Sequence, residues 1–334
     1  MSELKIGLIG GTGLGDALGA EKGHAIEIDT PFGKPSSPIV QANWQGVDIC
    51  ILQRHGPGHV LSPSAVPYRA NLFALKSLGV THIVASGATG SLREDIHPGD
   101  LVIVDQIIDK THKRANTFYE KAAVHVEFAE PFCPVMRSWL LDAARRLSTG
   151  NLHAKRSATG NRSDSPPSQG GAGGGSGAQP SSTAGSSKIG RVHDKGCYVC
   201  MEGPAFSTRA ESHMHRAWGG DLIGMTAMPE AKLAREAEIA YALIGLPTDY
   251  DCWRPPCVHD GNAPADLLSE ILGNLKRATD AGIALIKAAL ADVNTLRHNR
   301  SPAHNALTLA IWSDKKRIDP AEVKRLSTLW GRHF

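Results

Sequence analysis

The sequence predicts an α/β fold in which short buried strands alternate with amphipathic helices. Three observations carry this expectation. Apolar runs of strand length recur along the chain, as in Lys5-Ile6-Gly7-Leu8-Ile9, Val47 to Gln53, Thr81 to Ala85 and Ala240 to Ile244. Several of them pass at once into glycine-rich or polar turns, the positions where open α/β sheets collect ligands. Segments with helical spacing lie between them, such as Pro67 to Leu78, which Gly79 terminates.

Composition narrows the function classes. With 334 residues and 41% hydrophobic content, the chain can bury a sizeable core, and no apolar run reaches membrane-spanning length. A formal net charge of +3 is too small for a nucleic-acid binder but leaves anionic small molecules as partners. Six dispersed cysteines form no disulfide framework, and Met1-Ser2-Glu3-Leu4-Lys5 leads directly into a strand. A cytoplasmic setting, without membrane or nucleic acid, is expected.

The first strand runs into Gly10-Gly11-Thr12-Gly13. Such a turn lets backbone N–H groups close on an anion, with the Thr12 hydroxyl as a further donor; a simple tight turn explains the same residues. The dinucleotide fingerprint fails at Asp16, and no Walker lysine follows. Arg54 and His55 stand at the end of Val47 to Gln53, where arginine suits bidentate recognition of phosphate and imidazole adds a donor. Ser86 to Leu92 reads as a second small-residue loop after a strand, and Asp100 to Ile108 as one further strand. Lys110 to Phe128 is a long excursion rich in His, Lys, Arg and aromatics, and Pro134 to Leu147 a helix.

From Ser148 to Lys188 the chain is polar and small, with Leu152 the only large aliphatic. It cannot bury enough apolar area to offset its ordering entropy. The expectation is one domain formed by residues 1–147 and 189–334, with 148–188 as a disordered insertion. Cys197 and Cys200 have C-x-x-C spacing, but residues three apart on a strand face opposite sides, so no metal is expected. Glu202 to Arg209 leads into a helix through Trp218, and Met225 to Glu230 follows the strand end Asp221 to Gly224.

Thr248-Asp249-Tyr250-Asp251-Cys252-Trp253 closes the strand that starts at Ala240. Two carboxylates two residues apart on a strand end point to one side and raise each other's pKa, so one can stay protonated. A reaction that expels a nitrogen base needs such a donor; a solvated acidic loop is the alternative. Helical spacing returns from Ala265 to Leu290, and Asp319-Pro320-Ala321-Glu322 caps a basic terminal helix.

Gly10-Gly11-Thr12-Gly13, Arg54-His55-Gly56, Gly90-Ser91-Leu92-Arg93, Ala129-Glu130-Pro131-Phe132, Glu202-Gly203-Pro204, Met225-Thr226 with Pro229-Glu230, and Thr248 to Trp253 together resemble the trimeric purine nucleoside phosphorylases. Within them the likeness is to the branch that acts on 5′-methylthioadenosine. The resemblance implies a phosphorylase/hydrolase-like fold: a mixed, twisted β-sheet, a distorted barrel, flanked by helices. It implies a pentosyltransferase of purine and methionine salvage, with inorganic phosphate as co-substrate and no other cofactor. Phosphate would be held by Thr12, Arg54, His55 and Thr226, with the backbone of Gly11 and Ala88. Met225 would lie against the ribose and Phe206 on the sugar or base. Asp249 would share a proton with purine N7 and Asp251 would orient the base. Leu267 and Leu268 would line the 5′ pocket. His125 would reach into a neighbouring subunit's site, which implies a homotrimer.

A carboxyl at 249 can both donate to N7 and accept from a 6-amino group, and with Ser207 this favours adenine over a 6-oxopurine such as inosine. Three positions depart from the pattern. Gly87 replaces a usual Ser or Thr, Gly224 an Asn of many relatives, and Pro247 removes a ladder donor from a central strand. A 6-oxopurine phosphorylase, a hydrolytic nucleosidase and a non-enzymatic nucleotide-binding module are the competing readings.

Overall fold

The computed structural model describes residues 4–10, 23–159, 190–254 and 263–334, with side chains at all of these except 150–159 and 263–268. Strand β1 (Lys5–Gly10) is followed by β2 (His24–Ile26), β3 (Ile39–Trp44) and β4 (Val47–Gln53), and β4 returns in parallel beside β1. Helix α1 (Tyr68–Ser77) leads to β5 (His82–Ser91), which pairs in parallel with the other edge of β1. Next come β6 (Leu101–Ile103), β7 (Gln106–Asp109), α2 (Pro134–Thr159), β8 (Val192–His193), β9 (Cys197–Cys200) and α3 (Arg209–Ala217). Then β10 (Leu222–Gly224), α4 (Ala227–Glu236), β11 (Ala240–Asp249) and the long α5 (Ala263–Leu290) complete the body. Three short helices end the chain: α6 (Asn294–His298), α7 (Pro320–Arg325) and α8 (Ser327–Trp330).

Among the described residues eleven strands form one mixed sheet. It branches at β5, which holds β1, β10 and β11, and the pairing does not close into a ring, so the expected barrel is an open sheet. Period-2 side-chain alternation explains the continuous apolar runs, because helices cover both faces. Ile6, Leu8, Ile49, Ile51 and Ile244 pack with Trp139 of α2 and Leu285 of α5. The intervening Ile9, Cys50, Leu52, Tyr241 and Leu243 pack with Leu72 of α1, Leu233 of α4 and Trp330 of the tail.

Three boundaries differ from the sequence reading. Ser86 to Ser91 is strand: Ser86 to Thr89 pair with β11, then Gly90 and Ser91 with β10. Small residues let β5 be crowded there, since a Cβ on Gly90 would stand 3.1 Å from both Asp249 Oδ1 and Ile223 Cγ2. Asp100 to Ile108 is two strands on different branches, β6 against β8 and β11, and β7 against β9. Helix α2 overruns Leu147 to Thr159, and the hydroxyls of Ser148 and Thr149 donate to the Ala144 and Arg145 carbonyls. Residues 160–188 of the expected insertion lie outside the described residues, whereas β8 and β9, beyond it, pair with β6 and β7, before it. Pro247 sits at a bulge, where pairing with β5 slips between Pro247 and Asp249, and its carbonyl still accepts from Gly99 N–H at 2.8 Å.

The tail docks on the excursion after β7. Trp330 is fully buried and stacks on Tyr119 at 4.7 Å. Beneath them the Glu236 carboxylate accepts from Thr117 Oγ1 at 2.7 Å and from Phe118 N–H at 2.8 Å. Burial pushes Glu236 up to about 7 from 4.5. The native state therefore holds this proton more tightly than the unfolded chain, and stability falls as pH rises from the unfolded pKa to the folded one. Glu236→Gln should remove that dependence: its melting temperature should gain on the wild type between about pH 5 and about pH 8, by the order of 3 kcal/mol in stability. A constant offset would count against it.

Candidate active site

Residues from the ends of β4, β5, β10 and β11 open into a cleft of about 870 Å³, walled by α5. That volume suits a small organic ligand. One end is cationic. Arg54 is 2% exposed, and its Nε and Nη2 donate to the two Glu230 carboxylate oxygens at 2.8 and 2.9 Å. Its Nη1 donates to Ser86 O at 2.9 Å, and Tyr241 OH donates to Glu230 Oε1 at 2.8 Å. The bidentate edge expected to face phosphate is thus occupied by Glu230. The unused N–H of Nη1 belongs to the side where a Cβ on Gly87 would stand 4.0 Å from Nη1 and 3.4 Å from Thr226 Oγ1. Burial alone would lower the Arg54 pKa, but the charge and hydrogen bonds of Glu230 outweigh it and leave the guanidinium above its ordinary value.

His55 lies beside Arg54, stacked on His59 at 4.2 Å. Its Nδ1 is 2.8 Å from Leu61 O, which can only accept, so Nδ1 carries the proton. Burial, more than the nearby Arg54 charge, lowers its pKa, and neutral His55 then has Nε2 as its acceptor. The imidazole expected as a second donor is an acceptor in this state. Gly87, Ala88 and Thr226 line the same end. Thr12 and the Gly11 backbone, also expected there, lie outside the described residues.

The other end is acidic. Asp249 Oδ2 accepts from Thr248 Oγ1 at 2.7 Å and Oδ1 from Asp251 N–H at 2.7 Å. Burial raises the Asp249 pKa; the charge of Asp251 is a smaller contribution in the same direction, so mutual repulsion is not the main cause. Asp251 is raised too, by burial first, and Ser212 Oγ on α3 donates to its Oδ2. The Trp253 indole N–H donates to Ser91 O at 2.8 Å and Cys252 Sγ to Ser207 O at 3.2 Å, which fastens this loop to β5 and to the approach of α3.

Met225 and Phe206 line the middle of the cleft, Phe206 with 84% of its surface exposed. Helix α5 adds an apolar wall of Ile271, Leu275, Ile283 and Ile286. The side chains of Leu267 and Leu268 lie outside the described residues, about one turn before Ile271 on the same helix. Helical spacing from Ala265 to Leu290 contained this face, although the sequence reading did not select it. His125 is not in the cleft of its own chain; its ring lies 4.6 Å from Trp312, and its N–H donates to Ala310 O. Glu230 stands in the Pro229-Glu230 motif but was given no role, and Tyr241 and Ser212 were missed, with no local pattern to mark them.

Gly224 has a steric reason. A Cβ there would fall 2.0 Å from the Tyr198 hydroxyl, which receives the Thr226 N–H at 3.4 Å. The tyrosine occupies the room that a larger residue at 224 would need.

The chain matches the model of the Phosphorylase superfamily over residues 5–165 and 178–291. It is 40% identical to the S-methyl-5′-thioadenosine phosphorylase of Geobacter sulfurreducens, over 99% of each chain. It is 40% identical to that of Anopheles gambiae, over 87% of this chain and 92% of the relative. Among solved structures, a methylthioadenosine phosphorylase from an antarctic soil metagenomic library is similar with a TM-score of 0.79 and 39% identity, over 98% of this chain and 99% of that one. The Schistosoma mansoni methylthioadenosine phosphorylase in complex with adenine gives a TM-score of 0.72 and 34% identity, over 93% and 99%. Matched along nearly its whole length, the chain belongs to the phosphorylase superfamily.

Proposed function

We propose that this protein cleaves 5′-methylthioadenosine with inorganic phosphate, releasing adenine and 5-methylthioribose 1-phosphate. The observation that carries this reading is the polarity of one cleft, with Arg54 and Thr226 at one end and Asp249 and Asp251 at the other. Phosphate binds against the unused Arg54 N–H, the Thr226 hydroxyl and the Ala88 backbone, in the space that Gly87 leaves open. Neutral His55 accepts the P–OH of hydrogen phosphate through Nε2. Thr12 and the Gly11 backbone complete the anion site.

Phosphate then attacks C1′ of an oxocarbenium-like ribose that rests on Met225 and Phe206, while adenine departs. Positioning of the anion and neutralisation of the leaving base supply the rate. Asp249, its pKa raised by burial, shares its proton with N7, and Asp251 orients the base. The apolar face of α5 suits a 5′ thioether better than a hydroxyl, and the family resemblance assigns Leu267 and Leu268 to the same pocket. Phosphate is the co-substrate and no cofactor is needed. His125 enters the site of a neighbouring copy in a homotrimer. One domain carries this chemistry, with 148–188 as an insertion.

Adenine release from 5′-methylthioadenosine should require added phosphate, with kcat/KM above that for adenosine and inosine. Phosphate-independent release would indicate hydrolysis, and a preference for inosine would displace the adenine assignment. Asp249→Asn should lower kcat/KM for 5′-methylthioadenosine by about 100-fold or more and reduce the disadvantage of inosine. It should also lose the fall in activity as pH rises through the raised Asp249 pKa, because the amide has no proton to lose. Replacing residues 160–187 by a short flexible linker should leave the melting temperature and kcat/KM within about twofold or a few degrees of the wild type.

A further inference from the structure

Arg114 belongs to the excursion after β7, and its side chain is 2% exposed. Nη1 donates to the carbonyls of Met225 and Met228 at 2.6 and 2.5 Å and lies 3.3 Å from Tyr68 OH. Nη2 donates to Glu202 O at 2.6 Å and Nε to Glu202 Oε1 at 3.2 Å. Glu202 also accepts from Ser64 Oγ and from the N–H groups of His112 and Lys113. One guanidinium therefore joins two turns that both face the cleft.

The two gripped carbonyls bracket Thr226 and Ala227, and Met228 N–H donates to Cys200 Sγ at 3.3 Å. This backbone is not regular helix, since Met228 has φ −116° and ψ 138°. Arg114 holds them from behind while Thr226 Oγ1 meets the space beside Gly87. The second turn starts at Glu202 and carries Phe206. The turns touch directly, since a Cβ on Gly203 would fall 2.5 Å from Met225 Sδ.

We propose that Arg114 is a positioning residue that fixes Thr226 for phosphate and ties that end of the cleft to the turn carrying Phe206. The proposal rests on the phosphorolytic reading above. Arginine is needed because the acceptors spread around a planar fork; a lysine ammonium reaches Glu202 or the two carbonyls, not both. A small displacement of a positioned group is enough to slow a reaction strongly.

Arg114→Met and Arg114→Lys in the full chain test this, read by kcat, by KM for phosphate and for 5′-methylthioadenosine, and by melting temperature with and without inorganic phosphate. Arg114→Met should raise KM for phosphate by about tenfold or more, with a smaller rise for Arg114→Lys. KM for the nucleoside should change less, and the thermal shift given by phosphate should shrink in both variants. A lower melting temperature with an unchanged KM and an unchanged phosphate shift would overturn the proposal, leaving Arg114 a structural residue. If Arg114→Met does not fold, Arg114→Lys makes the same comparison. Absence of phosphate-dependent turnover in the wild type would instead remove the phosphorolytic reading, and the phosphate thermal shift would still report on Arg114.

Discussion

A guanidinium buried without a partner is among the most costly groups a fold can contain, and the cleft is organised around one whose carboxylate partner is buried with it. Arg54 follows β4, Glu230 lies in α4 and Tyr241 in β11, and all three are at most 2% exposed. Such a pair adds little net stability, because desolvation offsets most of the attraction. Breaking it is another matter: removal of Glu230 would leave an uncompensated charge and cost about 3–5 kcal/mol. Its value lies in geometry. With Nε and Nη2 anchored on Glu230, the remaining donors of Arg54 cannot swing away from the space beside Gly87 and Thr226.

The acidic end uses hydrogen bonds where the cationic end uses an ion pair. Asp249 accepts from Thr248 and from the Asp251 backbone, and Asp251 accepts from Ser212. These bonds oppose the rise in pKa that burial causes. Between the two ends, β5 lines the cleft with small residues, Ser86, Gly87, Ala88, Thr89 and Gly90. A ligand can therefore lie close against backbone along the whole cleft.

What could be read from sequence follows from the range of the interactions. The buried strands were legible because helices cover both faces, which leaves uninterrupted apolar runs such as Ala240 to Ile244. Ser86 to Ser91 was misread because small residues signal a loop locally, whereas here they serve a strand crowded on both edges. The candidate site residues that share a motif, Arg54 with His55 and Asp249 with Asp251, were accessible. Their supports were not: Glu230 is 176 positions from Arg54, and Arg114 is 111 from Met225. Nothing in a local pattern tells a buried ion pair from two solvated charges.

The close approach of Tyr198 and Gly224 bears on how this cleft can change through descent. With a tyrosine at 198, any side chain at 224 would overlap the phenol, so that substitution is closed until position 198 becomes smaller. The reverse step leaves a void beside Thr226 but no overlap, and a void can be tolerated for a time. The two positions can therefore be exchanged in one order only. A glycine that looked like the loss of a polar group is the first half of a linked pair, and the route back from it begins at the tyrosine.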